Sequence, residues 1–221
     1  MLNLLYSKAL LFLLLLTPLS LQAQFEFEPD SVAELMEGPL GVPNPDSVKF
    51  EFRLWTDAAQ FSLFAQLTLN TNHVWHYRTG LSNHSAEVIY FESPKNVDID
   101  GLWRRLDSLG VRTLPNQNKA TILIEEGGQT RRITPEEFAD FLGSRGSSHR
   151  VELFNSEGYR TYTYGGLAQY PDYFENSFDS WAAKEHDAMN QIVIDVFDAL
   201  DIEQSFERWA RSLDKESENR P

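Results

Sequence analysis

The chain has 221 residues, a formal net charge of −14 and no cysteine. The lack of cysteine excludes disulfides, thiolate metal sites and cysteine nucleophiles. The negative charge disfavours nucleic acid as a partner, because the phosphate backbone would be repelled. A chain of this size buries roughly 70% of its unfolded surface, so one domain can be held together by its hydrophobic core alone.

The first 23 residues have the three parts of a cleavable secretory signal. Lys8 supplies a positive charge ahead of the apolar run 9–16, and Pro18 follows that run. The run is shorter than the about 20 residues that a helix needs to cross a bilayer. We therefore predict a protein exported to the periplasm or the medium, with no transmembrane segment after cleavage. The alternative, an uncleaved membrane anchor, is disfavoured by the early proline.

Three segments follow the signal. Residues 24–47 contain several prolines, which predict an extended arm. Residues 48–213 carry the periodic patterns of a folded domain, and residues 214–221 form a polar tail. No linker divides the middle segment, so we predict a single domain there.

The first part of this domain alternates apolar and polar residues, as strands do. Residues 48–55 and 61–69 alternate in this way, and the short connection between them predicts an antiparallel hairpin. A second hairpin is predicted around Gly158. Its strands are 150–155 and 159–164, and the other predicted strands are 73–79, 86–91, 121–125 and 130–133.

Two short helices are predicted between the strands. The first covers residues 101–109, where leucines recur at helical spacing. The second begins at Thr134, and Glu137 three positions later completes a capping box. This helix is predicted to end at Gly143.

The carboxyl end predicts a helical pair. Apolar residues recur at helical spacing from Phe178 through Trp181 to Leu213, and Asp201 is placed to cap the second helix. Strands joined by short turns, with helices inserted and appended, predict an α+β fold. Its sheet is expected to be mostly antiparallel and built from hairpins.

One segment has the spacing of a calcium-binding loop. Asn96, Asp98, Asp100 and Asp107 fall at positions 1, 3, 5 and 12 of such a loop, with Gly101 at position 6. The neutral first position and the short acid at position 12 weaken the match. The alternative is that Asp98 or Asp100 caps the following helix and that Asp107 faces water. No other cofactor is predicted.

The chain lacks the local motifs of nucleophilic and metal-dependent hydrolases, such as Gly-x-Ser-x-Gly and His-Glu-x-x-His. Its histidines have no metal-ligand spacing, so zinc would need a site assembled by the fold. Glycoside hydrolysis requires two carboxyl groups at a fixed separation. Asp172, Glu175 and Asp179 lie near aromatic residues and are the candidate acids.

Tyrosines are concentrated between residues 159 and 173. On a strand, Arg160, Tyr162 and Tyr164 share one face, and Tyr170 and Tyr173 follow closely. Tyrosines beside an arginine suit a recognition surface, because they offer apolar area and a polar tip at little entropic cost. The alternative is that the rings stack across strands and belong to the core.

These patterns lead to the hypothesis of an exported, non-catalytic binding or envelope-associated protein. Its ligand would be a protein or a glycan that contacts the tyrosine cluster. The alternative function is an extracellular glycan hydrolase with paired carboxylates. A pocket where titratable groups converge would favour the enzyme, and an aromatic face would favour binding.

Export can be tested by expressing the chain with its native start in a bacterium. We expect the mature protein to begin at Gln24 or within a few residues of it, because Ala23 is the small residue at the cleavage position. Amino-terminal sequencing of protein recovered outside the cytoplasm measures this start. Recovery of the full 221-residue chain in the cytoplasm would contradict the prediction.

Overall fold

The computed structural model describes residues 39–57, 60–83, 87–92, 94–134, 137–138, 147–156, 158–167 and 170–218. The predicted signal, most of the predicted arm and most of the helix predicted to begin at Thr134 lie outside the described residues.

Nine strands, with helices between and after them, are formed by the described residues. In chain order the elements are β1 (Val48–Asp57), β2 (Phe61–Asn70), β3 (Trp75–Asn83), β4 (Val88–Tyr90), α1 (Ile99–Ser108), β5 (Ile122–Glu126), β6 (Gln129–Ile133), β7 (Ser148–Asn155), β8 (Gly158–Gly165), α2 (Tyr170–Ser177), β9 (Ser180–Ala182), α3 (Lys184–Ala199) and α4 (Ile202–Glu218). The predicted α+β class is confirmed.

Two antiparallel sheets organise these strands. The larger sheet has the order β4-β3-β2-β1-β7-β8, and the smaller has the order β6-β5-β9. β1 lies inside the larger sheet and pairs with β2 on one side and β7 on the other. Both predicted hairpins, β1–β2 and β7–β8, are confirmed.

The main hydrophobic core lies on one face of the larger sheet, which we call the inner face. Phe52 of β1 and Leu153 of β7 are at most 1% exposed there. The same cluster contains Leu102 of α1, Ile124 of β5 and Met189 of α3. The two sheets and these helices therefore share one buried core.

The predicted capping box is confirmed. The Thr134 backbone N–H donates to Glu137 Oε2 at 2.8 Å, and the Glu137 N–H donates to Thr134 Oγ1 at 3.2 Å. The backbone hydrogen bond from Thr134 and the neighbouring Arg131 lower the pKa of the Glu137 carboxyl. The cap therefore holds an ionised carboxylate at the start of the helix, where the helix dipole favours negative charge.

The start of the C-terminal region differs from the prediction. Phe178 and Trp181 have helical spacing, but residues 180–182 form β9, which pairs with the free side of β5. The Trp181 ring packs 5.4 Å from the Phe174 ring, between centroids. Backbone pairing with β5 is therefore favoured here over the helix that the apolar spacing predicts.

The predicted C-terminal helical pair is confirmed as α3 and α4. Asp201 lies between them with φ of 51°, and its carboxylate accepts a hydrogen bond from Arg208 at 3.1 Å. α4 runs to Glu218 and so includes the first residues of the predicted polar tail. Among the described helices, none has the length and apolar character that crossing a membrane requires.

The opposite face of the larger sheet, which we call the outer face, is also buried along β1. The alternation predicts a half-buried strand, yet Glu51 and Arg53 are each only 2% exposed. Arg53 Nε lies 2.6 Å from Glu51 Oε1, and its Nη1 lies 3.4 Å from Glu152 Oε2 on β7. Its Nη2 donates to the Gly41 carbonyl at 2.8 Å. The half-buried prediction is therefore wrong, because these ion pairs allow the polar side of β1 to be buried as well.

We expect Arg53→Ala to lower the free energy of unfolding by about 3–5 kcal/mol, because Glu51 would remain as a buried carboxylate without its cation and Glu152 would keep only its ion pair with Arg150. Urea denaturation followed by tryptophan fluorescence measures the change. Arg104→Ala is the control, since that side chain is 75% exposed. Its loss should stay below about 1 kcal/mol. A loss at Arg53 no larger than that of the control would contradict the structural role of the ion pairs.

Candidate functional site

Two members of the predicted tyrosine cluster, Tyr162 and Tyr164, lie in the core rather than on the surface. Tyr162 is 1% exposed and Tyr164 0%. Both side chains belong to the main core on the inner face, and Arg160 on the same face is half-buried. Because a recognition surface needs exposed side chains, this placement corresponds to the alternative interpretation, core tyrosines. Tyr170 and Tyr173 lie on α2, and their side chains are outside the described part of the chain.

The two buried tyrosines form hydrogen bonds to the segment that follows α1. The Tyr162 hydroxyl donates to the Val111 carbonyl at 2.8 Å, and the Tyr164 hydroxyl donates to the Pro115 carbonyl at 2.9 Å. Burial raises the pKa of both hydroxyls well above the ordinary value. They therefore remain protonated donors.

Arg160 completes this set of donors. Its guanidinium group donates to the carbonyls of Arg112 and Leu114, and it lies 5.3 Å from the centroid of the Tyr162 ring. Three side chains of one strand face thus satisfy backbone carbonyls between residues 111 and 115. Hydrogen bonding within the fold accounts for the arginine and tyrosines without a ligand.

Asp98 caps α1. Its Oδ1 accepts a hydrogen bond from the Gly101 backbone N–H at 2.9 Å. A Cβ atom at Gly101 would lie 2.8 Å from the Asp98 Cγ, so a larger residue would displace the capping carboxylate. The glycine is therefore explained by the cap and needs no metal.

The other predicted calcium ligands do not point at one shared site, and two of them contact protein groups. Asp100 Oδ1 accepts from the Trp75 indole N–H at 3.0 Å, and Asp107 Oδ1 lies 2.8 Å from Arg112 Nε. Asn96 is exposed. Over the described ranges, no three His, Asp or Glu side chains are grouped as a metal site requires. The segment 96–107 is thus organised by a helix cap and protein partners.

The predicted hydrolytic acids have different surroundings. The Asp179 carboxylate accepts from the Gly127 backbone N–H at 3.0 Å, and so connects the β5–β6 turn to β9. Glu175 is exposed, and the side chain of Asp172 is outside the described part. Asp179 therefore has a structural role in the smaller sheet.

The outer face carries three neighbouring aromatic rings, Tyr90 of β4, Phe64 of β2 and Trp55 of β1, which we call the aromatic row. The ring centroids of Tyr90 and Phe64 are 5.8 Å apart, and those of Phe64 and Trp55 are 5.3 Å apart. Gly80 of β3 pairs with both Tyr90 and Phe64. A Cβ atom there would approach the Phe64 ring to 2.9 Å, so the glycine leaves room for the row.

An arginine lies over each end of the aromatic row. The guanidinium carbon of Arg78 is 5.6 Å from the Tyr90 ring centroid, and that of Arg150 is 5.5 Å from the Trp55 ring. These are cation–π distances. Arg78 is exposed, Tyr90 is 51% exposed and the Arg150 side chain is 41% exposed. The ends of the row therefore reach the surface, whereas its centre is packed.

Two buried polar atoms of the outer face, Trp55 Nε1 and Gln66 Oε1, have no hydrogen-bond partner among the described residues. Gln66 pairs across the strands with Arg53, and Thr161 pairs with Glu152. Buried polar groups nearly always have partners. The aromatic row, its arginines and these atoms make the outer face the candidate binding site.

Two buried histidines lie on the other side of the larger sheet. His149 of β7 is 7% exposed, and burial lowers its pKa to about 4 although the charge of Asp57 opposes the shift. His186 of α3 is 1% exposed, and burial lowers its pKa to about 4 as well. Its ring contacts Tyr164 and Phe138 edge-on, at centroid distances of 5.2 and 4.8 Å. Both imidazoles are therefore neutral at pH 7.

The sequence analysis missed the outer face because its residues come from separate strands. One signal was present in the sequence. In two alternating segments, an aromatic residue stands at a position that the pattern otherwise fills with polar residues. Trp55 takes this position in β1 and Phe64 takes it in β2. Their cross-strand pairing brings the two rings together.

Comparison with known proteins finds no matching family model and no match among curated proteins or solved structures. The candidate site therefore rests on its geometry.

We expect Tyr162→Ala to lower the free energy of unfolding by about 3 kcal/mol, because the substitution opens a cavity in the core. Tyr162→Phe keeps the ring and removes only the hydrogen bond to the Val111 carbonyl, so its loss should be about 1 kcal/mol. Chemical denaturation of both variants measures the difference. An alanine variant as stable as the unsubstituted protein would contradict the core placement.

Proposed function

We propose that the chain is an exported binding protein whose ligand, a glycan, contacts the outer face of the larger sheet and is not chemically changed there. The aromatic row with an arginine over each end carries this proposal. Trp55 and Phe64 are not members of the main core cluster, so the packing of that core does not account for the row.

A glycan fits this face because a sugar ring combines an apolar C–H surface with a rim of hydroxyl groups. The exposed ring of Tyr90 supplies flat apolar area, and binding sites add a few polar groups that fix orientation. The sugar hydroxyls both donate and accept, so they can accept hydrogen bonds from the guanidinium groups of Arg78 and Arg150, which reach the surface. Arg78 and Arg150 add recognition of a sugar carboxylate, through charge-assisted hydrogen bonds.

Hydrolysis by paired carboxylates has less support. Glycoside hydrolysis requires one carboxyl group to donate a proton. On the outer face, the carboxylates of Glu51 and Glu152 both accept hydrogen bonds from Arg53. Asp179, among the predicted acids, accepts a hydrogen bond from a backbone N–H. Binding without catalysis is therefore the better explanation of the outer face.

Export is proposed from the signal pattern of residues 1–23. A protein released to the periplasm or the medium meets the polysaccharides of envelopes and surroundings. The proposed compartment and the proposed ligand are thus consistent with each other.

Binding can be tested with polygalacturonate, which is anionic, and dextran, which is neutral. We expect tighter binding of polygalacturonate despite the net charge of −14, because Arg78 and Arg150 form a local positive site that can pair with its carboxylates. Arg78→Ala and Tyr90→Ala should each weaken binding about tenfold, as removal of a central contact does. Their melting temperatures should change little, since both side chains are largely exposed. Isothermal titration calorimetry measures the affinities.

Arg104→Ala is the matched control for these variants, because it removes an exposed arginine from α1, away from the outer face. We expect its affinity for polygalacturonate to equal that of the unsubstituted protein. An equal loss in the control would show that any exposed arginine contributes to binding, and would contradict a site on the outer face. Absence of binding to both polysaccharides would contradict the proposal.

A further inference from the structure

Ser147, His149 and Thr56 form a chain of hydrogen bonds where β1 ends and β7 begins. Ser147 Oγ lies 3.3 Å from His149 Nε2, and Thr56 Oγ1 lies 3.0 Å from His149 Nδ1. Ser147 and Thr56 are half-buried, and His149 is 7% exposed. The imidazole is thus held by a hydroxyl at each ring nitrogen.

This geometry is that of an activated nucleophile. A hydroxyl lies within hydrogen-bond reach of a base, and a third group orients the base. When Nδ1–H donates to Thr56, the lone pair of Nε2 accepts the Ser147 hydroxyl proton. Burial lowers the pKa of His149 to about 4, so at pH 7 the ring is neutral and free to accept that proton.

Asp57 places a negative charge near the imidazole. Its carboxylate accepts hydrogen bonds from Ser62 Oγ at 2.6 Å and from Ser148 Oγ at 2.9 Å. This charge favours the protonated ring and so opposes the effect of burial on the pKa of His149. A fixed negative charge stabilises the imidazolium that forms when the base takes a proton. Tyr164, the cross-strand neighbour of His149, remains uncharged because burial raises its pKa.

We propose that Ser147 is the nucleophile, and His149 its general base, of an ester-hydrolysing site that is separate from the outer face and independent of the proposed glycan binding. Ser147 Oγ bonds to the ester carbonyl carbon while its proton moves to His149 Nε2. The bond to the alcohol oxygen then breaks, and the alcohol leaves with that proton. Thr56 is a positioning residue, because it contacts only the base.

Water completes the reaction. It adds to the acyl carbon and gives a proton to His149 Nε2. The bond between the acyl carbon and Ser147 Oγ breaks, the carboxylic acid leaves, and the proton returns to Oγ. No co-reactant other than water is consumed.

The test is covalent labelling of the purified chain with a fluorophosphonate, followed by peptide mapping. The probe reports the same step, because Ser147 Oγ bonds to phosphorus, fluoride leaves, and His149 takes the proton. We expect one label, on Ser147. An unlabelled chain, or a label on another serine, would overturn the proposal.

Variants separate the base from the positioning residue. His149→Gln should slow labelling about 100-fold, which is the lower part of the range for general-base catalysis. Thr56→Val should slow it about tenfold, because the ring loses its orienting partner. Ser156→Ala removes an exposed serine at the other end of β7 and should leave the rate unchanged. Labelling of His149→Gln at the unsubstituted rate would overturn the role of the base.

The pH profile gives a readout that a purely structural histidine would not affect. With a pKa of about 4 for His149, the labelling rate should stay constant from pH 8 to pH 6 and fall by half near pH 4. Protonation removes the lone pair that accepts the Ser147 proton, so the loss occurs as pH decreases. Circular dichroism checks that the chain remains folded at each pH. A rate that does not fall on acidification would overturn the proposal.

Discussion

The buried guanidinium group of Arg53 is the constraint on which the larger sheet depends. It lies on β1 with Glu51 beside it and with Glu152 opposite it on β7, and all three residues are at most 5% exposed. Removing charges from water costs several kcal/mol for each ion, so such a group persists only when each charge finds a partner. The register between β1 and β7 supplies that partner, because Arg53 pairs directly with Glu152. A shift of β1 by one residue would turn Arg53 and Glu51 together to the inner face and separate the arginine from Glu152.

With the charge of Arg53 compensated, the larger sheet is packed on both faces, and the two faces carry different kinds of side chain. The inner face is apolar and joins the helices and the smaller sheet in one core. The outer face combines the ion pairs with the aromatic row, and Gly80 allows Phe64 to lie close to the backbone of β3. Because both faces are fixed by the same register, Trp55 and Arg150 are held in place by the pairing that also aligns Arg53. A preorganised surface of this kind loses little entropy when it binds a ligand, which is the physical basis for placing the proposed site there.

The fold class could be predicted from the sequence because its signals are local. The β1–β2 hairpin follows from alternation across a short connection, and the Thr134–Glu137 capping box lies within one helical turn. The outer face could not be predicted in this way. Arg53 and Glu152 are 99 residues apart, and alternation alone describes a strand with one face in water. β9 was missed for a related reason, since its partner strand lies more than fifty residues earlier in the chain.

The tyrosine cluster shows why composition alone could not identify the site. The cluster of Arg160, Tyr162 and Tyr164 combines apolar area with hydrogen-bond donors. Recognition surfaces use this combination, and it also suits the packing of buried segments without regular structure. The residues after α1 expose carbonyls that must find donors when they are buried. β8 passes beside them with its inner face, so its arginine and tyrosines supply those donors. On the other face of the same strand, Thr161 pairs across the strands with Glu152. The register of β8 therefore decides which of its side chains donate to these carbonyls and which lie on the outer face.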